Sequence, residues 1–383
     1  MSLEDQSERV PSSQPLRLLH VLYSGQGGLG TYFLEFVASD KNRRFAHSAV
    51  FYGIEKLHPE YERIVRERDI PYTTIRKHRG PDLASILRLL AAMSRPTDAI
   101  VLHSGAGAGA TGALLRSAFT SCPLIHVEHT TSEVKTVRDR FWTFLLRLSS
   151  DRTVAFYPEH REELTSGSTR CVVIPKRPDA SFFHPSKRRS GSDIRIGMQG
   201  RLSAHKDYPT LLRAFAIATK RSVVPLSLHI AGGGTERERL ERLASELGIS
   251  SSVIFYGTLE RSDLRSMLQG LDIYVHSTHG ETMCFAIMEA QACGLPVIGS
   301  DVRGVRDAIT EGSTGLLFPH ENAEALAGLL RRLSDAPDLR ERLGQGARAE
   351  ALGKSNQQST AEAYYQLLLE ILAERKTDKE SDR

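Results

Sequence analysis

Cysteine, tryptophan and long apolar runs are all scarce in this chain, and each scarcity excludes a class of protein. The 383 residues hold four cysteines, Cys122, Cys171, Cys284 and Cys293, with no CxxC pair and no metal-ligand spacing. That excludes a disulfide scaffold and a cysteine-held zinc module, and predicts the reduced thiols of a cytoplasmic protein. No apolar run reaches the roughly 18–20 residues that cross a bilayer. The opening stretch MSLEDQSERVPSSQP is polar and lacks the apolar core of a secretory signal. The net charge is only +4, with a pI of about 8.8. That is too mild for a nucleic-acid reader, and it suits an anionic substrate or a lipid surface. The expectation is a cytoplasmic chain, with peripheral contact at the inner face of the membrane open to it.

The composition, 40% hydrophobic and 25% charged, is that of a globular protein, and the length suits two domains with a core each. Strand and helix patterns alternate, which predicts α/β units with parallel sheets. Strands are predicted at Leu16–Tyr23, Ala46–Tyr52, Pro71–Ile75, Ala99–His103, Leu124–Glu128 and Thr153–Phe156, with a helix over Leu83–Met93. A second series begins at Ile194–Gln199. Between the two series, IPKRPDASFFHPSKRRSGSD is rich in proline, serine and charge and reads as a linker. After Pro319 the chain is helical and polar. The spacing over Val134–Leu148 places Val134, Val137, Phe141, Leu145 and Leu148 on one face, predicted to pack on the core. Lys135, Arg138, Trp142 and Leu146 cluster on its flank, a basic-aromatic surface suited to lipid headgroups or a lipid-linked acceptor.

The densest signal is GETMCFAIMEAQACG, where Glu281 precedes an apolar helix and Glu289 falls inside it. A carboxylate among Phe285, Ile287, Met288, Ala290 and Ala292 needs a polar partner, because an unpaired buried charge costs several kcal/mol. The helix start beside Glu281 attracts anions through its exposed N–H groups and its dipole. Such a pair suits a ligand with both phosphates and hydroxyls; a capping Glu281 and a Glu289 satisfied by nearby backbone is the plainer alternative. Upstream, strand Ile194–Gln199 runs into Gly200-Arg201-Leu202, with Lys206 five residues after Arg201 and a helix over Pro209–Lys220. A glycine turn, two cations and a helix N-terminus at a parallel strand's carboxyl end form a diphosphate site. HIAGGGTERERLERLASELGI, VIFYG (Val253–Gly257) and LPVIGSDVRGVRDAITEGSTGLLFP add strands that end in glycine loops.

These five segments, in this order and spacing, resemble the C-terminal domain of the GT-B retaining glycosyltransferases of family 4. The resemblance covers residues 194–320 and implies two Rossmann-like domains facing a cleft. It divides the chain into a tail (1–15), an acceptor domain (16–178), a nucleotide-sugar domain (179–360) and a C-terminal helix and tail (361–383) crossing back to the first domain. It implies metal-independent, retaining transfer of a hexose from a nucleotide diphosphate sugar to a hydroxyl of a glycan or lipid-linked acceptor. No cofactor or metal is expected, and no nucleic acid. Arg201 and Lys206 would stabilise charge on the leaving diphosphate, aided by backbone near Gly27 and Gly28 and at Met283, Cys284 and Phe285. Glu289 would hold the ribose, Glu281 the transferred sugar, and backbone at Gly257–Leu259 the base.

In LIHVEHTTS, Glu128 and His129 end a strand, where ligands of α/β proteins collect; His103 ends the strand before. A histidine placed like His129 contacts the transferred sugar in the resembling family, and His103 and Glu128 are acceptor-side candidates. The loop Gly25-x-Gly27-x-x-Gly30 also fits a dinucleotide fingerprint, but the second strand ends Phe51-Tyr52-Gly53 without the acid that would hold a ribose. No Asp-x-Asp triplet occurs; the other common transferase fold uses one to hold a metal on the diphosphate. The chain departs from the family at Pro175-Lys176-Arg177, where Pro-Asn-Gly is usual, and at Glu281-Thr282-Met283-Cys284, where Glu-Gly-Phe-Gly is usual. A nucleotide-sugar epimerase or hydrolase on the same donor site, and a non-catalytic sugar-nucleotide-binding protein, are the competing functions.

Overall fold

In the computed structural model the described residues are 14–25, 28–78, 82–93, 96–103, 111, 115, 122–129, 136–156, 161–162, 164, 170–175, 179–186, 193–281, 284–355 and 359–381. The sequence-derived tail 1–15 therefore lies almost wholly outside them, as do Gly27, Lys135, Lys176, Arg177, Thr282 and Met283. The chain forms two compact units, one of Met1–Pro175 with Ser359–Arg383, the other of Lys176–Gln358.

The first unit is built on seven parallel strands: β1 (Leu16–Tyr23), β2 (Phe45–Gly53), β3 (Tyr72–Arg76), β4 (Ala99–Leu102), β5 (Leu124–Val127), β6 (Arg152–Ala155) and β7 (Cys171–Val173), in the order β3-β2-β1-β4-β5-β6-β7. Val21, Ile100, Val101, Ile125 and Val154 are fully buried, as expected of strands covered on both faces. Its helices include α1 (Gly28–Ser39), α2 (Pro59–Glu67), α3 (Leu83–Ala92) and α4 (Val137–Ser149). Asp82 caps α3 by accepting from the Ser85 N–H at 3.0 Å. Thr136 and Asp139 form a reciprocal capping box at the start of α4.

The face of α4 is a correction to the sequence reading. Leu146 and Thr143 are buried, with Trp142 packed partly against the core, whereas Val137, Phe141 and Leu148 are exposed. Periodicity finds an apolar stripe but cannot say which side of a helix the sheet will take, and here Thr143, donating to Glu128, turns the other side inward.

The second unit has six parallel strands: β8 (Ile194–Gln199), β9 (Leu226–Ala231), β10 (Val253–Gly257), β11 (Ile273–His276), β12 (Val297–Ser300) and β13 (Gly315–Phe318), in the order β10-β9-β8-β11-β12-β13. Its helices are α5 (Tyr208–Arg221), α6 (Arg237–Glu246), α7 (Arg261–Gln269), α8 (Phe285–Ala292), α9 (Ala323–Asp335) and α10 (Pro337–Ser355). One sheet face packs Ile196, Met198, Leu228, Ile230 and Val275 against Leu211, Phe215, Leu326 and Leu330. Part of the expected linker is core: Ala180 and Phe183 are buried beside Tyr274 and Ile287, and Arg348 donates to the Ala180 and Phe183 carbonyls at 3.1 and 3.0 Å. Composition hid a Phe182–Phe183 pair inside a polar stretch.

The last helix, α11 (Thr360–Ser381), belongs to the first unit. Tyr364 lies 4.4 Å from Phe36, ring centre to ring centre, and its hydroxyl bonds that of Tyr32 at 3.1 Å. Arg375 grips Asp151 through two bonds of 2.8 Å, the forked geometry that makes such pairs strong.

Candidate active site

In the second unit the chain leaves β8 toward β9 on one side and later returns to pair β11 on the other. A parallel sheet opens a crevice at such a reversal, outside the carboxyl ends of the two central strands. The loop after β8 carries Arg201 and Lys206; the loop after β11 carries Glu281. Backbone bonds join these loops, from Asp207 N–H to Ser277 O (3.1 Å) and from His279 N–H to His205 O (3.2 Å).

Lys206 and Glu281 meet as an ion pair, with His276 against both, its Nε2 being 3.3 Å from Lys206 Nζ and 3.1 Å from Glu281 Oε1. Burial lowers the Lys206 pKa. Burial first, then the Lys206 charge, holds His276 well below the ordinary histidine range, so it is neutral. A neutral His276 either donates from Nε2 to Glu281 or accepts there from Lys206, and thus steers whichever group turns to a ligand. Burial also pushes the Cys284 thiol up to about 12. It stays protonated and is no nucleophile. Cys284 precedes α8 and offers the helix no side-chain cap.

Glu289 is buried, and its Oε2 accepts from the Gln199 side-chain amide at the end of β8. A polar partner that its surroundings demand is thus a side chain from the neighbouring strand. Arg201 stands exposed beside the buried Leu202. Glycines let these loops sit close. A Cβ on Gly232 (φ +145°) would lie 1.9 Å from the Gly200 carbonyl, and one on Gly304 (φ +79°) would lie 2.1 Å from the Glu281 carbonyl. Gly257 ends β10 at φ +73°, while the Leu259 side chain lines a cavity of about 430 Å³ with His229, Tyr256 and Met267, which neither Lys206 nor Glu281 reaches.

Among the described residues, two groups of side chains converge well enough to hold a metal, each with donor atoms within 4.8 Å of one another: His276, Glu281 and Cys284, and Asp207, His279 and His320. In the first, the Lys206 ammonium already supplies the positive charge.

The first unit makes the same reversal around β1. Its loop leads to Gly28 at the start of α1, and His103 directly follows the end of β4 at Leu102. His103 is fully buried and Glu128 is buried, accepting from Thr143 Oγ1 at 3.2 Å. His129 is half-buried, its ring packed on Tyr32 (5.4 Å), Phe156 (5.1 Å) and His103 (6.0 Å). His103 also ends a buried chain that sequence reasoning missed. Asp40 Oδ2 is 3.3 Å from His47 Nε2, His47 Nδ1 is 2.9 Å from His20 Nε2, and His20 Nδ1 is 3.0 Å from His103 Nε2. Burial alone would raise the Asp40 pKa, but the bonds from His47 and from the Arg44 and Phe45 N–H groups bring it below its ordinary value. Asp40 can therefore only accept. Neutral imidazoles would then each carry the proton on Nε2, leaving His103 an acceptor at Nδ1. The sequence shows one histidine within or just after each of three strands, but nothing local pairs them.

The family models for glycosyl transferases group 1 and glycosyltransferase family 4 match residues 179–350 and 26–177. A D-inositol 3-phosphate glycosyltransferase of Corynebacterium jeikeium is 30% identical over 295 residues, 69% of this chain and 70% of the relative. One from Streptomyces bingchenggensis is 31% identical over 220 residues, 52% of this chain and 48% of that protein, so the chain spans only about half its length. Among solved structures, HepE of Anabaena in complex with UDP and glucose is similar in fold, with a TM-score of 0.78 at 17% identity over 94% of this chain and 99% of that one. The parallel two-unit architecture is thus that of GT-B proteins, and the chain belongs to the group 1 glycosyltransferases.

Proposed function

We propose that this glycosyltransferase moves a hexose, with retention of anomeric configuration, from a nucleotide diphosphate sugar to a hydroxyl of a glycan or lipid-linked acceptor. The observation that carries the reading is the cluster of Lys206, His276 and Glu281 at the reversal of the second sheet, with exposed Arg201 beside it. That HepE holds UDP and glucose on a similar fold supports a nucleotide sugar as donor. Donor entry would break the Lys206–Glu281 pair. The ammonium would pass to the diphosphate and the carboxylate to hydroxyls of the sugar, while His276 bridges the exchange. Arg201, Lys206 and the uncapped start of α8 would stabilise charge growing on the leaving diphosphate, a role otherwise filled by a metal ion. No cofactor is assigned.

Glu289, released from Gln199, would take the ribose, and backbone at Gly257–Leu259 the base. His129 would position the sugar, with His103 and Glu128 behind it. A cytoplasmic setting fits four free, buried cysteines and the finding that no described helix is long and apolar enough to cross a membrane. The test is turnover with UDP-, GDP- and ADP-hexoses in excess EDTA, with the product's anomeric coupling read by NMR. Activity that survives chelation and keeps the donor's configuration is expected. Loss that Mg²⁺ restores, or an inverted product, would contradict the mechanism.

A further inference from the structure

Helix α4 buries the side that its sequence pattern marks as its weaker one. Outward stand Val137, Phe141, Phe144 and Leu148, 86%, 56%, 54% and 62% exposed. Their spacing of four, three and four residues puts all four within roughly 60° of one another on the helix. Monomeric soluble proteins seldom leave such a continuous apolar stripe in water, and one this regular marks a contact surface.

The charges say what kind. Arg140, exposed, and Arg147, half-buried, fall roughly 60–90° to one side of the stripe. The helix's single acid, Asp139, falls on the opposite side. Its carboxylate is held in the capping box, where it accepts from the Thr136 hydroxyl at 2.6 Å. The outward half of α4 therefore carries large apolar side chains and positive charge, and no acid of its own. A protein partner would need a matching apolar groove lined with acids. A bilayer of anionic lipids supplies both features without a specific fold, with acyl chains for the stripe and phosphates for the arginines.

We propose that α4 lies in the interface of an anionic membrane, Val137, Phe141, Phe144 and Leu148 inserted and Arg140 and Arg147 on the headgroups. This deepens the transferase reading by giving its acceptor a place to arrive, and rests on it only there.

The experiment is flotation of the untagged full-length chain with vesicles of phosphatidylglycerol and phosphatidylcholine, or of phosphatidylcholine alone, without donor or acceptor. Wild type should float with anionic vesicles and stay behind with neutral ones. Phe141→Ser/Phe144→Ser/Leu148→Ser should cut binding at least about tenfold, since it removes the inserted apolar area. Arg140→Gln/Arg147→Gln should weaken it roughly thirtyfold, from about 1 kcal/mol per basic residue at an anionic surface. Both variants change exposed or half-exposed side chains, and unchanged donor turnover shows that they fold. Three results overturn the proposal: wild type that ignores anionic vesicles, a triple variant that floats equally well, or one that splits a wild-type dimer while flotation persists. None of these touches the transferase reading, which the donor assays decide separately.

Discussion

At the scale of single residues the proposed donor site would turn on groups that neutralise one another until a ligand separates them. Lys206→Ala should lower kcat by about 10²- to 10³-fold, the usual loss for one donor aimed at developing negative charge. Arg201→Ala should act in the same direction. Melting temperatures should change little for Arg201→Ala, which is exposed, and more for Lys206→Ala, which strands a partly buried Glu281. Kinetics and melting curves on both variants decide; turnover at the wild-type level would remove these cations from the mechanism. The two glutamates should divide differently. Ribose is unchanged by the reaction, so Glu289→Gln should chiefly raise the donor KM, whereas Glu281→Gln, facing a sugar that gains positive charge, should chiefly lower kcat. Nucleotide alone, titrated calorimetrically, should bind Glu281→Gln nearly as well as wild type and Glu289→Gln clearly worse. The reverse ranking would exchange their roles.

At the scale of elements, the chain Asp40–His47–His20–His103 ties the α1–β2 loop to strands β2 and β1 and the end of β4. It also links folding to pH. Burial holds His20 well below the ordinary histidine value. The unfolded chain thus takes up a proton below about pH 6.5 that the folded chain refuses, and stability must fall as pH drops from there toward the folded-state value. The cost is at most about 1.4 kcal/mol per pH unit for each such histidine. His20→Gln, which keeps an amide between two partners but cannot titrate, should show a shallower loss of melting temperature between pH 7 and 5. Parallel slopes in wild type and variant would mean that His20 is not the acid-sensitive group. This chain was not legible from sequence because no local spacing joins residues 20, 47 and 103; only the parallel register brings them together. The strands themselves were legible, since Val253–Gly257 is a compact run that ends in glycine and Ile194–Gln199 runs directly into Gly200. Helix α4 was found but turned the wrong way, because Thr143 and Leu146 take the inside through contacts with β5 and the core.

At the scale of the whole molecule, two parallel sheets each reverse around their first strand, and titratable side chains gather at both reversals. The motifs at the second, Gly200-Arg201…Lys206 and Glu281…Glu289, could be read because glycine turns and paired charges are local in sequence. His276 and Gln199 could not, since each owes its place to a strand end beside a distant loop. The most direct test of the account is calorimetric titration of UDP-, GDP- and ADP-hexoses into the full chain and into Lys206→Ala. One of the three should bind wild type at a single site and Lys206→Ala at least about tenfold more weakly, the loss of one charge-assisted contact. If none binds, or if the best of them binds Lys206→Ala as tightly as wild type, the donor site is not at the reversal of the second sheet.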